Sequence, residues 1–257
     1  MTQDCILQTK KLSKEFKGFV AVDRVDLSVR RGSIHALIGP NGAGKTTCFN
    51  LLTKFIRPSS GQILFNGQDI TQDAPAQIAR RGIIRSFQIS AVFPHLSVLE
   101  NVRVALQRKL GTSFHFWKPE RSLHRLNERA MDLLAAVDLQ SSAHTLTVEL
   151  AYGRKRALEI ATTLAMDPEL MLLDEPTQGM SLEDIDRIRQ LIKKVAANRT
   201  VLMVEHNMSV VSSIADTITV LQRGATLAEG AYALVAKNPA VIEAYMGSAD
   251  AEAVGAH

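Results

Sequence analysis

Residues Gly39, Pro40, Asn41, Gly42, Ala43, Gly44, Lys45 and Thr46 follow the pattern G-x-x-x-x-G-K-[ST], directly after an apolar run Ile34 to Ile38. That spacing lets a chain wrap its backbone N–H groups around a phosphate, because glycines accept the dihedral angles and close approach that a Cβ forbids. A helix expected from Thr46 to Phe55, with Thr46 and Thr47 in its first turn, would aim its N-terminal dipole at the same anion. Lys45 would then reach the outer phosphates, and the Thr46 hydroxyl would ligate Mg²⁺. A second constellation is Leu170 to Leu173 followed by Asp174 and Glu175. An apolar strand there delivers two carboxylates to its C-terminal end, where ligands bind in open α/β sheets. Asp174 would hold Mg²⁺, and Glu175, on the other side, would orient or deprotonate an attacking water. Together the two motifs describe a P-loop ATPase.

The elements that must position these groups are legible in outline. Short β-like runs come first: Ile6 to Thr9, Val25 to Val29, Ser33 to Ile38 and Gln62 to Phe65. Turn residues such as Asn66-Gly67 separate them. From about Gln77 to Ala165 helical periodicity takes over, with Leu123, Leu126, Ala130, Leu133, Leu134 and Val137 on one face. After the strand at Leu170, Ser181 and Asp184 form a capping pair for a helix whose buried stripe is Leu182, Ile185, Ile188, Ile192 and Val195. Thr200 to Val204 supplies another buried strand. Such alternation implies right-handed crossovers and an α/β fold with parallel strands.

Composition narrows the class further. The 257 residues amount to about 1.7 typical domains, so one large domain or a core with a subdomain is expected. With 46% hydrophobic and 22% charged residues, collagen-like, disordered and disulfide-scaffold classes are excluded. The charge-free stretches 32–44 and 86–99 are broken by Gly, Pro and polar positions and fall short of the ~18 apolar residues of a membrane span. A net charge of +4 does not reach the clustered basic character of a nucleic-acid footprint. The start has no signal-peptide pattern and there are 2 cysteines, so a reducing cytoplasm is the expected compartment. Cys48 is expected to be a buried small apolar residue ahead of a reactive thiol.

The residues between and after the two motifs resemble the ATP-binding cassette family, the ATPase subunits of ABC transporters, from about Leu7 to Gly247. The resemblance implies a RecA-like P-loop NTPase core with an antiparallel β-subdomain over 1–86 and 166–230, an inserted helical signature subdomain over 87–165 and a C-terminal extension over 231–257. It implies that Phe16 stacks on adenine and that the loop from Gly39 through Thr47 binds ATP. Gln88 matches the glutamine that meets the metal and the γ-phosphate, and His206 in Glu205-His206 matches the switch histidine. Leu150-Ala151-Tyr152-Gly153-Arg154 occupies the place of the signature, which in the family binds the γ-phosphate of ATP held by a second cassette. Gln178-Gly179-Met180-Ser181 is placed like the loop that crosses between cassettes. Ala151, Tyr152 and Arg154 depart from the family's usual serine, glycine and glutamine. Loss of the serine hydroxyl at Ala151 predicts a weaker ATP site, since such a charged hydrogen bond contributes ~1.5–3 kcal/mol.

Leu158-Glu159-Ile160-Ala161, Glu205-His206-Asn207-Met208 and the stretch from Asn238 to Gly247 look like the longer ATPase of branched-chain amino-acid importers. Its extra length falls in Arg108 to Arg125, a segment with Phe114, Phe116 and Trp117 that is expected to be a solvated part of the helical subdomain. The resemblance implies Mg²⁺ as cofactor with ATP as substrate, and a dimer with a second cassette. It implies two membrane permease subunits, an indirectly linked solute-binding protein, no nucleic acid, and a peripheral position at the cytoplasmic face of the inner membrane. A lipopolysaccharide-type exporter ATPase and a soluble ATPase acting on nucleic acid or ribosomes remain open on the sequence.

Overall fold

The computed structural model describes residues 4–86, 92–109 and 126–245. Gln88, residues 110–125 (most of the 108–125 segment), Leu123 and the tail from 246 lie outside the described residues.

A six-stranded sheet runs in the order β11-β10-β4-β9-β8-β7. Five neighbours are parallel: β10 (Thr217–Gln222), β4 (Ile34–Ile38), β9 (Thr200–Val204), β8 (Leu170–Asp174) and β7 (Ile83–Ser86). β11 (Ala225–Gly230) pairs antiparallel with β10 and closes one edge. Every residue of β4, β8 and β9 is buried, so these strands read as unbroken apolar runs rather than alternating ones. Pleating sends their side chains to two cores. Leu170, Leu172, Leu202 and Val204 face one side with Phe49, Leu51 and Leu52; Met171, Leu173, Val201 and Met203 face the other.

The first side is covered by α1 (Lys45–Leu52) and by a small antiparallel sheet. That sheet contains β1 (Cys5–Phe16), β2 (Phe19–Val25), β3 (Ser28–Arg30), β5 (Ser60–Phe65) and β6 (Gln68–Asp69). A short helix, α2 (Pro75–Arg80), precedes β7. The Asn66-Gly67 turn joins β5 to β6 with both residues at positive φ, the geometry of a type I′ hairpin. The second side carries α3 (Val98–Lys109), α4 (Asn127–Ala136) and α5 (Tyr152–Ala165), packed on one another, then α6 (Leu182–Ala196) and α7 (Met208–Ile214). α8 (Tyr232–Val235) lies against β10 and β11. Among the described residues, no helix is long and apolar enough to cross a membrane.

Several expectations are corrected. The stretch read as helical from Gln77 contains β7, whose four residues are fixed by parallel pairing with β8, a partner some ninety residues away that leaves no local signal. The run Val25 to Val29 splits between β2 and β3, and β1 extends well past Thr9, because register shifts let one long strand pair with three partners. α1 stops at Leu52, and Phe55 is 55% exposed beyond it. Leu182 is 83% exposed instead of joining the buried stripe; Ile188, Leu191, Ile192 and Val195 carry that face. It opens α6 immediately after the Ser181 cap, where the Ser181 hydroxyl accepts from the Asp184 N–H. α4 buries Ala130, Leu133 and Leu134 as its periodicity predicts. Cys48 is fully buried, and burial pushes its thiol up to about 12, which removes thiolate chemistry near neutral pH.

Candidate active site

The phosphate-type loop leaves the central strand β4 and enters α1. Gly39 sits at φ 151, and a Cβ there would lie 2.2 Å from the Leu221 carbonyl oxygen. Gly44 caps α1 at φ 97, where a Cβ would come within 2.5 Å of the Ala21 carbonyl. The loop is therefore clamped between β10 and β2, and only glycine fits either contact. The Gly224 N–H, in the β10–β11 turn, donates to the Ala43 carbonyl at 3.0 Å and fastens its middle. Asn41, Gly42 and Thr46 are exposed, while Pro40 and Thr47 are half-buried. The Lys45 ammonium is buried and donates to the Gly39 and Pro40 carbonyls at 2.7 and 2.9 Å. Burial lowers its pKa, and the nearby Glu175 carboxylate opposes that.

The carboxylates arrive at the end of β8. Asp174 is buried and ion-pairs with Arg85 of β7, whose other guanidinium nitrogen donates to the Asn50 amide oxygen at 2.7 Å. Glu175 takes φ 45, its N–H bonds the Val204 carbonyl at 3.0 Å, and its Oε2 lies 4.0 Å from His206 Nδ1. Lys45, Asp174, Glu175 and His206 thus gather at the C-terminal ends of adjacent parallel strands. Phe16 ends β1 with 43% exposure, the Lys14 ammonium 4.9 Å from its ring centre. It stands at the rim of the hairpin whose β2 passes the loop at Ala21.

The signature-like residues meet another region. Ala151 is the exposed N-cap of α5, with extended dihedrals and no side-chain cap. The Tyr152 hydroxyl donates to the Gln178 carbonyl at 3.0 Å. Gly153 packs so tightly on α6 that a Cβ would lie 2.7 Å from the Asp184 carboxyl, and Arg154 is half-buried. Because Ala151 is an uncapped N-cap, Ala151→Ser is expected to raise stability by about 0.5–2 kcal/mol through a hydroxyl bond to the N2 or N3 amide. It is also expected to speed single-turnover hydrolysis. Thermal unfolding and quench-flow test the two effects separately, and an unchanged rate overturns the expectation of a weaker ATP site.

Motif reading overlooked four polar side chains that build this site. Arg85 neutralises Asp174. Glu205, with 0% exposure, accepts from the Thr177 N–H and hydroxyl, the His206 N–H and the Asn207 N–H, tying the loop after β8 to the loop after β9. Arg156 and Glu159 form a buried pair at 2.6 Å on α5. The available signal was Glu159 inside the apolar run Ala157 to Ala161, since such a group is almost never buried unless paired.

The chemistry of the donor set suits a phosphate-bound Mg²⁺. The Thr46 hydroxyl and Asp174 carboxylate are hard oxygen donors, as that ion requires. Among the described residues no group of three or more His, Cys, Asp or Glu could cage a metal alone.

Comparison with known proteins agrees with this geometry. The family described as "ABC transporter" matches residues 22–178, and the family described as "Branched-chain amino acid ATP-binding cassette transporter" matches residues 225–251. The high-affinity branched-chain amino acid transport ATP-binding protein BraF of Pseudomonas aeruginosa is 40% identical over 95% of this chain and 98% of its own length. The high-affinity branched-chain amino acid transport ATP-binding protein LivG of Escherichia coli K12 is 38% identical over the same shares. The crystal structure of the ADP conformation of an ATP-binding cassette from an ABC transporter superposes with a TM-score of 0.83 at 30% identity. It covers 95% of this chain and 99% of that one. With a family match over more than half its length and relatives that align end to end, the chain belongs to the ABC transporter family, among its ATP-binding-cassette ATPases.

Proposed function

We propose that this chain hydrolyses ATP to drive import of branched-chain amino acids or related small solutes. It works beside a second cassette under two membrane permease subunits at the cytoplasmic face of the inner membrane, and a solute-binding protein supplies the permeases. The observation that carries the reading is the convergence of Lys45, Asp174, Glu175 and His206 at one end of the parallel sheet. The match of residues 225–251 to the branched-chain cassette family supports the importer branch over the exporter and nucleic-acid readings.

In this reading the amides of Gly39 to Thr47 and the Lys45 ammonium bind the phosphates, and Phe16 stacks on adenine. Lys45 is pre-aimed, because its bonds to the Gly39 and Pro40 carbonyls hold it across the mouth of the loop. Thr46 and Asp174, with Gln88, hold Mg²⁺, which supplies charge neutralisation on the phosphates. Glu175 takes a proton from water, and His206 orients the γ-phosphate beside it. Ala151, Tyr152, Gly153 and Arg154 face the nucleotide of the second cassette. The division into a core of 1–86 and 166–230, a helical subdomain of 87–165 and an extension of 231–257 belongs to the same reading.

Affinity purification of the full chain from its native membrane tests the assembly. Two permease subunits and a second cassette should co-purify, and vesicles containing them should accumulate leucine only with ATP. Recovery on ribosomes or nucleic acid without membrane subunits would overturn the importer reading.

A further inference from the structure

The turn after β8 has to hold Glu175 at φ 45, a left-handed conformation that a residue with a Cβ adopts rarely and only when its surroundings over-determine it. α5 supplies donors to three alternate carbonyls of that turn. Arg156 Nη2 donates to Asp174 O at 2.6 Å and its Nε to Pro176 O at 3.3 Å. The Tyr152 hydroxyl donates to Gln178 O at 3.0 Å. The two donors stand four residues apart, so they project from one face of the helix. Arg156 is 4% exposed and is itself fixed by Glu159, one turn on, through the bond from its remaining nitrogen at 2.6 Å. Glu205 grips the intervening Thr177 from the other side, by its N–H and its hydroxyl. The loop from 174 to 178 is thus bonded at every residue, and Glu175 is the member whose side chain is left to face His206.

We propose that Tyr152 and Arg156 are positioning residues for hydrolysis in their own chain. By fixing the backbone on both sides of Glu175, they set the direction in which its carboxylate meets the attacking water. The inference rests on the reading of Glu175 as the group that acts on water, and it gives Tyr152 a duty within its own subunit besides any contact with a second cassette. Arg156 matches the task because a guanidinium offers donors in a rigid fork, which a lysine cannot reproduce. Tyr152 matches it because a longer side chain than the family's usual glycine is needed to reach Gln178.

The first test is Tyr152→Phe in the full chain, which removes one hydroxyl from a residue 41% exposed and so preserves folding. A fall in kcat of about fivefold is expected, the size of one net hydrogen bond, with KM for ATP unchanged and the melting temperature lowered by no more than about 4 °C. The second is Arg156→Met combined with Glu159→Leu, which removes both members of the buried pair so that no unpaired charge is left inside. This double variant is expected to fold and to lose roughly 30-fold or more in kcat, two bonds to the turn being lost, with labelled-ATP affinity retained. The third is Tyr152→Phe placed on Glu175→Gln. If the hydroxyl acts through Glu175, it should no longer lower the residual rate, the non-additivity expected of groups that act as a unit. Wild-type kcat in both Tyr152→Phe and the double variant overturns the inference. So does a rise in KM without a fall in kcat, or an equal loss from Tyr152→Phe in the wild-type and Glu175→Gln backgrounds. Normal turnover by Glu175→Gln alone overturns the underlying reading of Glu175 instead, which keeps the two failures apart.

Discussion

Replacing Glu175 by Gln is expected to lower single-turnover ATP hydrolysis by about 10²–10⁴-fold while leaving ATP affinity within about twofold of wild type. The substitution keeps the shape of the side chain and the left-handed turn that carries it, which is held by the Glu175 N–H to Val204 and by the Gln178 N–H to Glu175 O. What it removes is a basic oxygen 4.0 Å from His206 Nδ1 at the mouth of the phosphate loop. Binding is left alone because it falls to the loop amides and Lys45, whose ammonium is fixed by the Gly39 and Pro40 carbonyls. The measurement is quench-flow hydrolysis beside equilibrium binding of a fluorescent ATP analogue. Turnover near the wild-type rate would show that another group takes the proton. Loss of binding would show that Glu175 supports the loop as well.

Glu205→Ala is expected to destabilise the chain strongly. Glu205 has no exposure, and its two oxygens accept from three backbone N–H groups and the Thr177 hydroxyl. Truncation orphans the buried N–H and hydroxyl of Thr177 and frees the part-buried N–H groups of His206 and Asn207, and each buried unsatisfied group costs about 1–3 kcal/mol. Allowing for partial relaxation, a loss of about 4 kcal/mol is expected, or roughly 10 °C in Tm for a chain of this size. Hydrolysis should fall with it, because the same carboxylate fixes the entry to His206 and the loop that follows Glu175. Glu205→Gln keeps one accepting oxygen but turns an amide N–H₂ toward donors, so it should fall between alanine and wild type. Thermal unfolding of the three proteins decides the matter. A Tm for Glu205→Ala within about 2 °C of wild type would mean that the four bonds contribute nothing net.

These two residues differ in how they could be found. Glu175 stands at the end of a five-residue apolar strand beside Asp174, a local pattern with a chemical meaning. Glu205 is one residue before His206, and the local pattern points to the histidine alone. Its role depends on Thr177, 28 residues away, and no spacing rule reports such a pair. Arg85 is similar: its partners Asn50 and Asp174 lie on α1 and β8, and it sits on β7, a strand that only its pairing with β8 reveals. The helices show the same limit. The periodicity of α6 correctly gave its buried face, yet Leu182 at its start is exposed, because periodicity sets a direction around the axis and not where the neighbouring surface ends.

What the sequence determined by itself is the chemistry that short-range geometry dictates. The glycines and lysine from Gly39 to Lys45, the apolar strands ending at Asp174 and Val204, the Asn66-Gly67 turn and the Ser181 cap each follow from dihedral preference, burial on two faces or one local hydrogen bond. Only the tertiary structure decided which polar groups are buried together. Arg85 with Asp174, Arg156 with the turn carbonyls, and Glu205 with Thr177 are contacts between elements distant in sequence, and the Arg156–Glu159 pair on one face of α5 is buried only because the helix packs there. Their strength comes from desolvation, which exists only after the sheet and helices have packed. The loop that would hold phosphate is therefore written in eight consecutive residues, while the aim of the carboxylate that would act on water depends on the whole fold.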